Sequence, residues 1–553
     1  MYKNHINIFA LGGLDENGKN CYVLEYNDDI YIINTGTKIP INSKNGVDTL
    51  IPNFNYFIKN KDKIKGIFIT DVKNESFSAL PWLLMSISGQ TIYSSEFNSI
   101  MIQDRLEKYK INNPDYKIQV IDKITKIGEI FVQPIELAGS MPGHMGFNFI
   151  TPQGDILFLF NFIEANLGIY GNLNFTNLAK NFSKRSLLAL IVDCGRANYP
   201  GKAVDKIQLP QSIKETFLET KSDQRIIIGA YDEEMASIQQ ILNLAIETKR
   251  PVIVYGKTYA QALNIIKNKF PQVKFPKILD HNSISKTNNA VILVTGSVER
   301  LYSRFLRITS NNDVFLTLKN TDVVIILAPP INGLESQEAI MLDEITRITS
   351  NLYDVNTNEF YRHRPAKEDL INLVDSLKPK YVIPAQGLYR YLVSAQNILT
   401  EKLNIKDNKC LLLQNGKIVH FADGKLISTN GKIKEIHDTI IDGFGVGDIS
   451  SEVILERELL GRDGIILVSV LYNSKTKLLN GKLQMNFVGI FDKETKKIAK
   501  ELIKTTILKI IENETFDGLK TFQNRARQVI RKKIFKVFDK EPMIIVSLVQ
   551  SNN

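Results

Sequence analysis

The sequence predicts an α/β chain: a two-sheet α/β sandwich, a doubly wound α/β unit and a small C-terminal α/β domain. Three observations predict it. The N-terminal region alternates short strands with glycine turns and later changes to fully apolar strands, the pattern of hairpins followed by parallel buried strands. From about Gln211 strands and helices alternate, as a doubly wound unit requires. Residues 449–553 form a compact strand–helix–helix–strand pattern of their own.

At 553 residues the chain exceeds one core and suggests roughly three domains. Apolar residues make up 44% and charged residues 23%, the balance of an ordinary globular protein. No apolar run approaches the ~18–20 residues of a membrane span, and no basic stretch followed by an apolar core opens the chain. A cytoplasmic protein without membrane contact is therefore expected. Cys21, Cys194 and Cys410 lie far apart without CxxC spacing, which predicts core thiols. The net charge of +10 permits a nucleic-acid partner without proving one, because lysine is abundant throughout.

Taken in order, strands are expected at residues 6–10, 21–25 and 30–33, and a helix from Ile51 to Lys59. Further strands follow at 117–121, 130–137, 147–151 and 155–160, and an apolar strand at 187–193 ends on an aspartate. The second region alternates strands at 225–230, 251–255, 290–295 and 323–327 with helices at 234–248 and 260–269. Helix 367–377 and strand 381–384 then resume a core, and the polar stretch after Ser428 reads as a linker. The Gly-x-Gly-x-Gly within 442–448 lacks a strand–loop–helix context and reads as a turn at a domain junction. In the last module Phe522, Ala526, Val529/Ile530, Lys533/Ile534 and Val537 mark a largely apolar helix face, with Arg525, Arg527, Arg531, Lys532 and Lys536 on the remainder. That basic side reads as a solvated face, with RNA or subunit contact as the alternative.

Chemistry is expected where the strand Gly66–Thr70 runs out, since layered α/β folds place it just past the carboxyl ends of central strands. The polar turn there holds Asp71, Lys73, Glu75 and Ser76: two carboxylates and a lysine, but no histidine.

The chain resembles the ribonuclease J family of metallo-β-lactamase/β-CASP nucleases. The resemblance rests on residues 10–20 (ALGGLDENGKN), 46–48 with Ile51-Pro52, 66–70, Ser140-Met141-Pro142, Thr295-Gly296-Ser297, 378–384 (KPKYVIP) and 441–449, in that order along the whole chain. It implies a metallo-β-lactamase αββα sandwich (1–210 and 361–427) interrupted by a β-CASP insertion (211–360). A linker (428–448) and a C-terminal α/β assembly domain (449–553) follow. It also implies a 5′-3′ exo- and endoribonuclease using two divalent cations, Zn or Mn, which activate water against a phosphodiester.

Carried over position by position, that metal site is vacated. The family's turn histidines fall on Asp71, Lys73 and Ser76, and its turn aspartate on Glu75. A later histidine falls on Gly139, the bridging aspartate on Asn161 and the last histidine on Gln386. Lysine has no lone pair for a cation, glycine has no side chain, and amides are weak neutral ligands. No bound cofactor is expected. Lys73 either supplies the missing positive charge, paired with Asp71, Glu75 or both, or points to solvent with them. Of the six histidines, His144 reads as a loop residue, and His363 enters the histidine–serine loop with which the family grips phosphate, which the resemblance places at residues 360–365, only by a one-residue slip. Candidate RNA-phosphate contacts are Lys257, Thr295, Gly296, Ser297, Arg362, His363 and Arg364. Arg300, Arg304 and Arg307 form a basic face or a plain solvated one.

The expected function is a non-catalytic, or very weakly active, ribonuclease J-like subunit in RNA processing and mRNA decay. Its expected partners are RNA and an active paralogue, or further copies of itself in a dimer or tetramer. The alternatives are a homomeric RNA-binding scaffold and a residual, metal-poor ribonuclease acting through Asp71 and Glu75.

Overall fold

Apolar strands that alternate across two faces must bury one of them, and here two sheets stack to do so. The computed structural model describes residues 4–38, 49–112, 115–298, 300–331, 333–355, 360, 363–442, 445–446, 451–473, 479–513 and 519–551. Arg362, the motif at 46–48 and residues 443–444 and 447–449 of the junction motif lie outside them.

The first sheet has eight strands in the order Lys425–Lys432, Lys417–Ala422, His5–Gly12, Cys21–Tyr26, Asp29–Ile33, Ile64–Phe68, Gln90–Ser94, Tyr116–Val120. Neighbours are antiparallel as far as Asp29–Ile33 and parallel from there on. The second sheet runs Tyr381–Ala385, Leu187–Asp193, Gly154–Leu159, Met145–Thr151, Ile130–Glu136, Thr125–Ile127. Leu187–Asp193 is buried at every position, as its unbroken apolar run predicts for a central parallel strand. Tyr22, Phe68, Phe147, Phe149 and Phe158 belong to the core between the sheets. Helices Lys367–Leu377 and Tyr389–Leu403 cover the second sheet through Leu370, Leu373, Leu392 and Leu399.

The inserted unit carries a six-stranded, all-parallel sheet. Its central strands Ile226–Tyr231 and Val291–Gly296 end side by side, with Tyr231 opposite Gly296. Sandwich and insertion belong to one compact unit ending at Thr439. The C-terminal unit from Ile440 has a three-stranded sheet, with Ile465–Asn473 flanked by Leu479–Val488 and Met543–Ser551. Ile503 and Ile507 of helix Lys493–Asn513, and Ala526 and Ile530 of helix Leu519–Phe538, close its core with Ile466, Val468 and Val470.

Three expectations are corrected. Residues 428–432 belong to the edge strand Lys425–Lys432 rather than to a linker; its residues are exposed or half-buried throughout, so they are polar and read as a connection. The helix expected from Ile51 begins at Asn55, because Pro52 holds Ile51 extended at the end of strand Thr49–Ile51. The turn after Thr70 contains one helical turn of its own, Asn74–Phe77. The three cysteines are buried and free. Among the described residues no helix is long and apolar enough to cross a membrane.

Candidate functional site

Strand ends from both sheets converge on the turn after Thr70. Three of them bend there through left-handed residues: Asn34 (φ 64°), Asn161 (φ 51°) and Gln386 (φ 56°). That conformation costs a non-glycine residue about 1–2 kcal/mol, least for asparagine. At Gln386 the surroundings enforce it: the backbone N–H donates to the Gly13 carbonyl at 3.0 Å, and the Gln386 carbonyl accepts from Arg364 at 3.0 Å.

Asp71 is buried and its carboxylate is used internally. Oδ2 accepts from the Thr70 hydroxyl at 2.9 Å and the Asn161 amide at 3.2 Å, and Oδ1 accepts from the Lys73 backbone N–H at 3.0 Å. Lys73 has no exposed surface at all. Its ammonium pairs with neither Asp71 nor Glu75. It lies 3.4 Å from Glu234 Oε1, and Glu234 Oε2 lies 2.7 Å from His363 Nδ1. The expected pairing of Lys73 with Asp71 or Glu75 is therefore not found: the partner comes from the insertion, because the Asp71 oxygens face the Lys73 backbone and Asn161. Next to it, Glu233 Oε1 accepts from the Asn74 N–H at 2.7 Å, at the start of the short helix Asn74–Phe77.

His144 is a loop residue as expected, directly before strand Met145–Thr151, but a buried one: it is 2% exposed and stands in the space that Gly139 leaves, where a Cβ on Gly139 would lie 2.1 Å from His144 Nδ1. Nδ1 is 3.0 Å from the Asn161 carbonyl, which only accepts, so Nδ1 carries the proton and Nε2 its lone pair. Burial pushes this imidazole down to about 4, against the pull of the Asp71 carboxylate.

Arg364 makes the second inward cation. It holds both Asp193 oxygens, at 2.9 and 2.7 Å, and reaches Gln386 Oε1 at 3.2 Å; Glu75 is 3.9 Å away. Burial works to lower its pKa, yet the Asp193 and Glu75 carboxylates hold it above the usual arginine range. His363 and Arg364, expected as phosphate contacts, are thus turned onto carboxylates, because those buried acids need a cation or a donor.

Of the other expected contacts, Thr295 and Gly296 end their strand and Ser297 follows it; the Gly296 carbonyl accepts from the Asp232 N–H at 3.0 Å, beside Glu233. The Thr295 and Ser297 hydroxyls are buried without a hydrogen-bond partner. Lys257 is exposed at the first residue of helix Lys257–Lys269, and the structure does not bring it to the Lys73 cluster. Arg304 donates to the Thr295 carbonyl and Arg307 pairs with Asp313 at 3.0 Å, so the basic face at 300–307 is largely spent internally.

The donor set does not fit a pair of divalent cations. Lys73 brings an ammonium into the pocket, Asn161 points its NH2 at Asp71, Gly139 offers nothing, and Ser76 Oγ is buried and unpartnered. Among the described residues no group of three or more His, Cys, Asp and Glu is arranged to hold a metal ion. Glu233, Glu234 and Asp193 were not singled out as site residues from the sequence. A signal existed: each stands at or just past the carboxyl end of an apolar strand, the criterion that picked out Asp71.

Family profiles match two parts of the chain: the ribonuclease J β-CASP domain over residues 223–345 and the ribonuclease J C-terminal domain over 452–551. An uncharacterized protein of Mycoplasma genitalium is 28% identical, covering 98% of this chain and 99% of that one. Ribonuclease J2 of Bacillus subtilis is 25% identical and ribonuclease J 2 of Streptococcus pyogenes 27% identical, each over 98% of both chains. Among solved structures, a protein of unknown function from Enterococcus faecalis shares the fold at a TM-score of 0.50 and 12% identity, over 76% of this chain and 100% of that one. With profile matches in the insertion and the C-terminal domain and relatives aligned over 98% of its length, this chain is similar to the ribonuclease J family from end to end.

Proposed function

We propose that this chain is a non-catalytic ribonuclease J-like subunit of RNA processing and mRNA decay. It works in the cytoplasm, on RNA, in a dimer or tetramer with an active paralogue or with copies of itself. One observation carries the reading: an ammonium with no exposed surface, Lys73, is ion-paired to Glu234 where a two-metal nuclease needs a ligand lone pair. Its effect is chemical. With an ammonium in place of a ligand, the cluster lacks the donor set for paired Lewis acids that would lower the pKa of water, and its imidazoles are hydrogen-bonded within the chain, His363 to Glu234 and His144 to the Asn161 carbonyl.

The test has two arms. Purified chain is incubated with 5′-monophosphorylated RNA and Mn2+ or Zn2+, alone and with a co-expressed active paralogue, and the paralogue is tagged for capture. The expected result is no cleavage by the chain alone, together with capture. Cleavage that disappears in Asp71→Ala would overturn the reading in favour of a residual ribonuclease. Failure of capture, with self-association retained, would favour the homomeric scaffold.

A further inference from the structure

Helix Leu519–Phe538 of the C-terminal unit is charged in a way its packing does not require. Its twenty residues include seven Lys and Arg and no Asp or Glu, in a chain whose whole net charge is +10. Phe522, Ala526, Ile530 and Ile534 face the sheet and belong to the core.

The cations are ordered on what remains. At 100° per residue, Lys520, Arg527 and Arg531 fall along one flank and Arg525, Lys532 and Lys536 along the other. Both sets have the same spacing (i, i+7, i+11), so each is a rail about 16 Å long at 1.5 Å rise per residue. Asn524, Gln528 and Phe535 form the ridge between the rails, and all these side chains are exposed. Arg531 stands 3.6 Å from Glu541 while 54% exposed, a surface pairing that water and phosphate exchange readily.

We propose that this helix is an RNA contact in its own right. Its rails grip the sugar-phosphate backbone of an RNA strand, and the Asn524–Gln528–Phe535 ridge offers amides and a ring to the bases. The inference goes beyond the function proposed above and rests on that reading only in taking RNA as the polyanion. Cations spaced along a helix neutralise successive phosphates and release counterions, giving binding that is salt-dependent and indifferent to sequence. An exposed ring serves any base as a stacking surface. A membrane surface fits less well: a helix lying on a bilayer inserts its apolar stripe, and here that stripe is buried in the domain core.

The experiment uses the full chain and a fluorescent polyuridine oligomer, with anisotropy read across a salt series. The rail variant is Arg527→Gln/Lys532→Gln/Lys536→Gln. The control removes the same charge from exposed positions of the sandwich, Lys117→Gln/Lys123→Gln/Lys126→Gln. Circular dichroism checks that both fold. The rail variant is expected to bind about ten-fold more weakly, with the slope of log affinity against log salt smaller by about two, and the control to bind like the parent chain. Parent-like binding by the rail variant overturns the proposal, as does an equal loss in the control, which would mean bulk charge alone. A change in oligomeric mass by light scattering without a change in RNA affinity would assign the face to a protein contact and overturn it too. If the parent chain binds no RNA, the function proposed above falls with it; if only the rail variant behaves like the parent, that function stands and this inference falls.

Discussion

Replacing Lys73 by methionine keeps the stem volume and deletes the charge. Glu234, 2% exposed, would then lose its lysine while His363 stays at 2.7 Å. Breaking a buried ion pair from one side costs about 3–5 kcal/mol; because His363 stays in place, the lower end applies, about 3 kcal/mol. In the compact unit Met1–Ile41 with Thr49–Thr439 that is a fall of about 3 °C in the midpoint of its transition. Removing both charges, Lys73→Met with Glu234→Gln, leaves neither member of the pair charged without the other and is expected to return stability to within about 1 kcal/mol of the parent. Differential scanning calorimetry of the full chain compares all three proteins. The reasoning is refuted if the single variant melts like the parent. It is equally refuted if the double variant is worse than the single one, because the pair would then be no pair.

Gly139→Ala sets a methyl 2.1 Å from the His144 ring and is expected to cost about 1–3 kcal/mol by urea denaturation; adding His144→Ala should make the double variant less destabilised than the two single effects summed. His144 titrates at about 4 when folded against an ordinary 6.5, so the unfolded chain takes up the extra proton between those values. Stability should therefore rise with pH across that window, by up to about 3 kcal/mol, and His144→Gln should flatten that part of the profile. Arg364→Met leaves Asp193 buried without its cation and should cost about 3–5 kcal/mol, while Arg364→Lys, which keeps charge but loses the fork, should cost less; thermal melts of the two variants decide it.

The fold was legible because its signals are long and local. Leu187–Asp193 needs no partner to be read as a buried strand, and neither does the strand and helix alternation after Gln211. The site was legible only as far as strand ends reveal it. Asp71, Asn161 and Gln386 are placed by the strands before them, and the structure brings them together. Glu234 was missed because it meets Lys73 across 161 residues of sequence, and no periodicity links the two. His144 was read as a loop residue and is one, but its burial was not legible. What buries the histidine is the missing side chain at Gly139, a contact that exists only in three dimensions.

The pairing of the two inward cations bears on why the pocket keeps its shape. Each joins pieces of chain that backbone hydrogen bonding does not fully tie. Lys73 links the end of strand Ile64–Phe68 to the insertion through Glu234, and His363 adds the return segment to the same carboxylate. Arg364 links that return segment to the end of Leu187–Asp193 and to the left-handed Gln386. Metal ligands in a dinuclear site join the same kinds of segments, because strand-end side chains must converge on shared ions. Here the convergence persists with ammonium and guanidinium groups as its centre. The left-handed strain at Asn161 and Gln386 is then held by hydrogen bonds within the chain, the Asn161 amide on Asp71 and the Gln386 carbonyl on Arg364, rather than by a ligand. These contacts tie the insertion to the sandwich through the chain's own side chains.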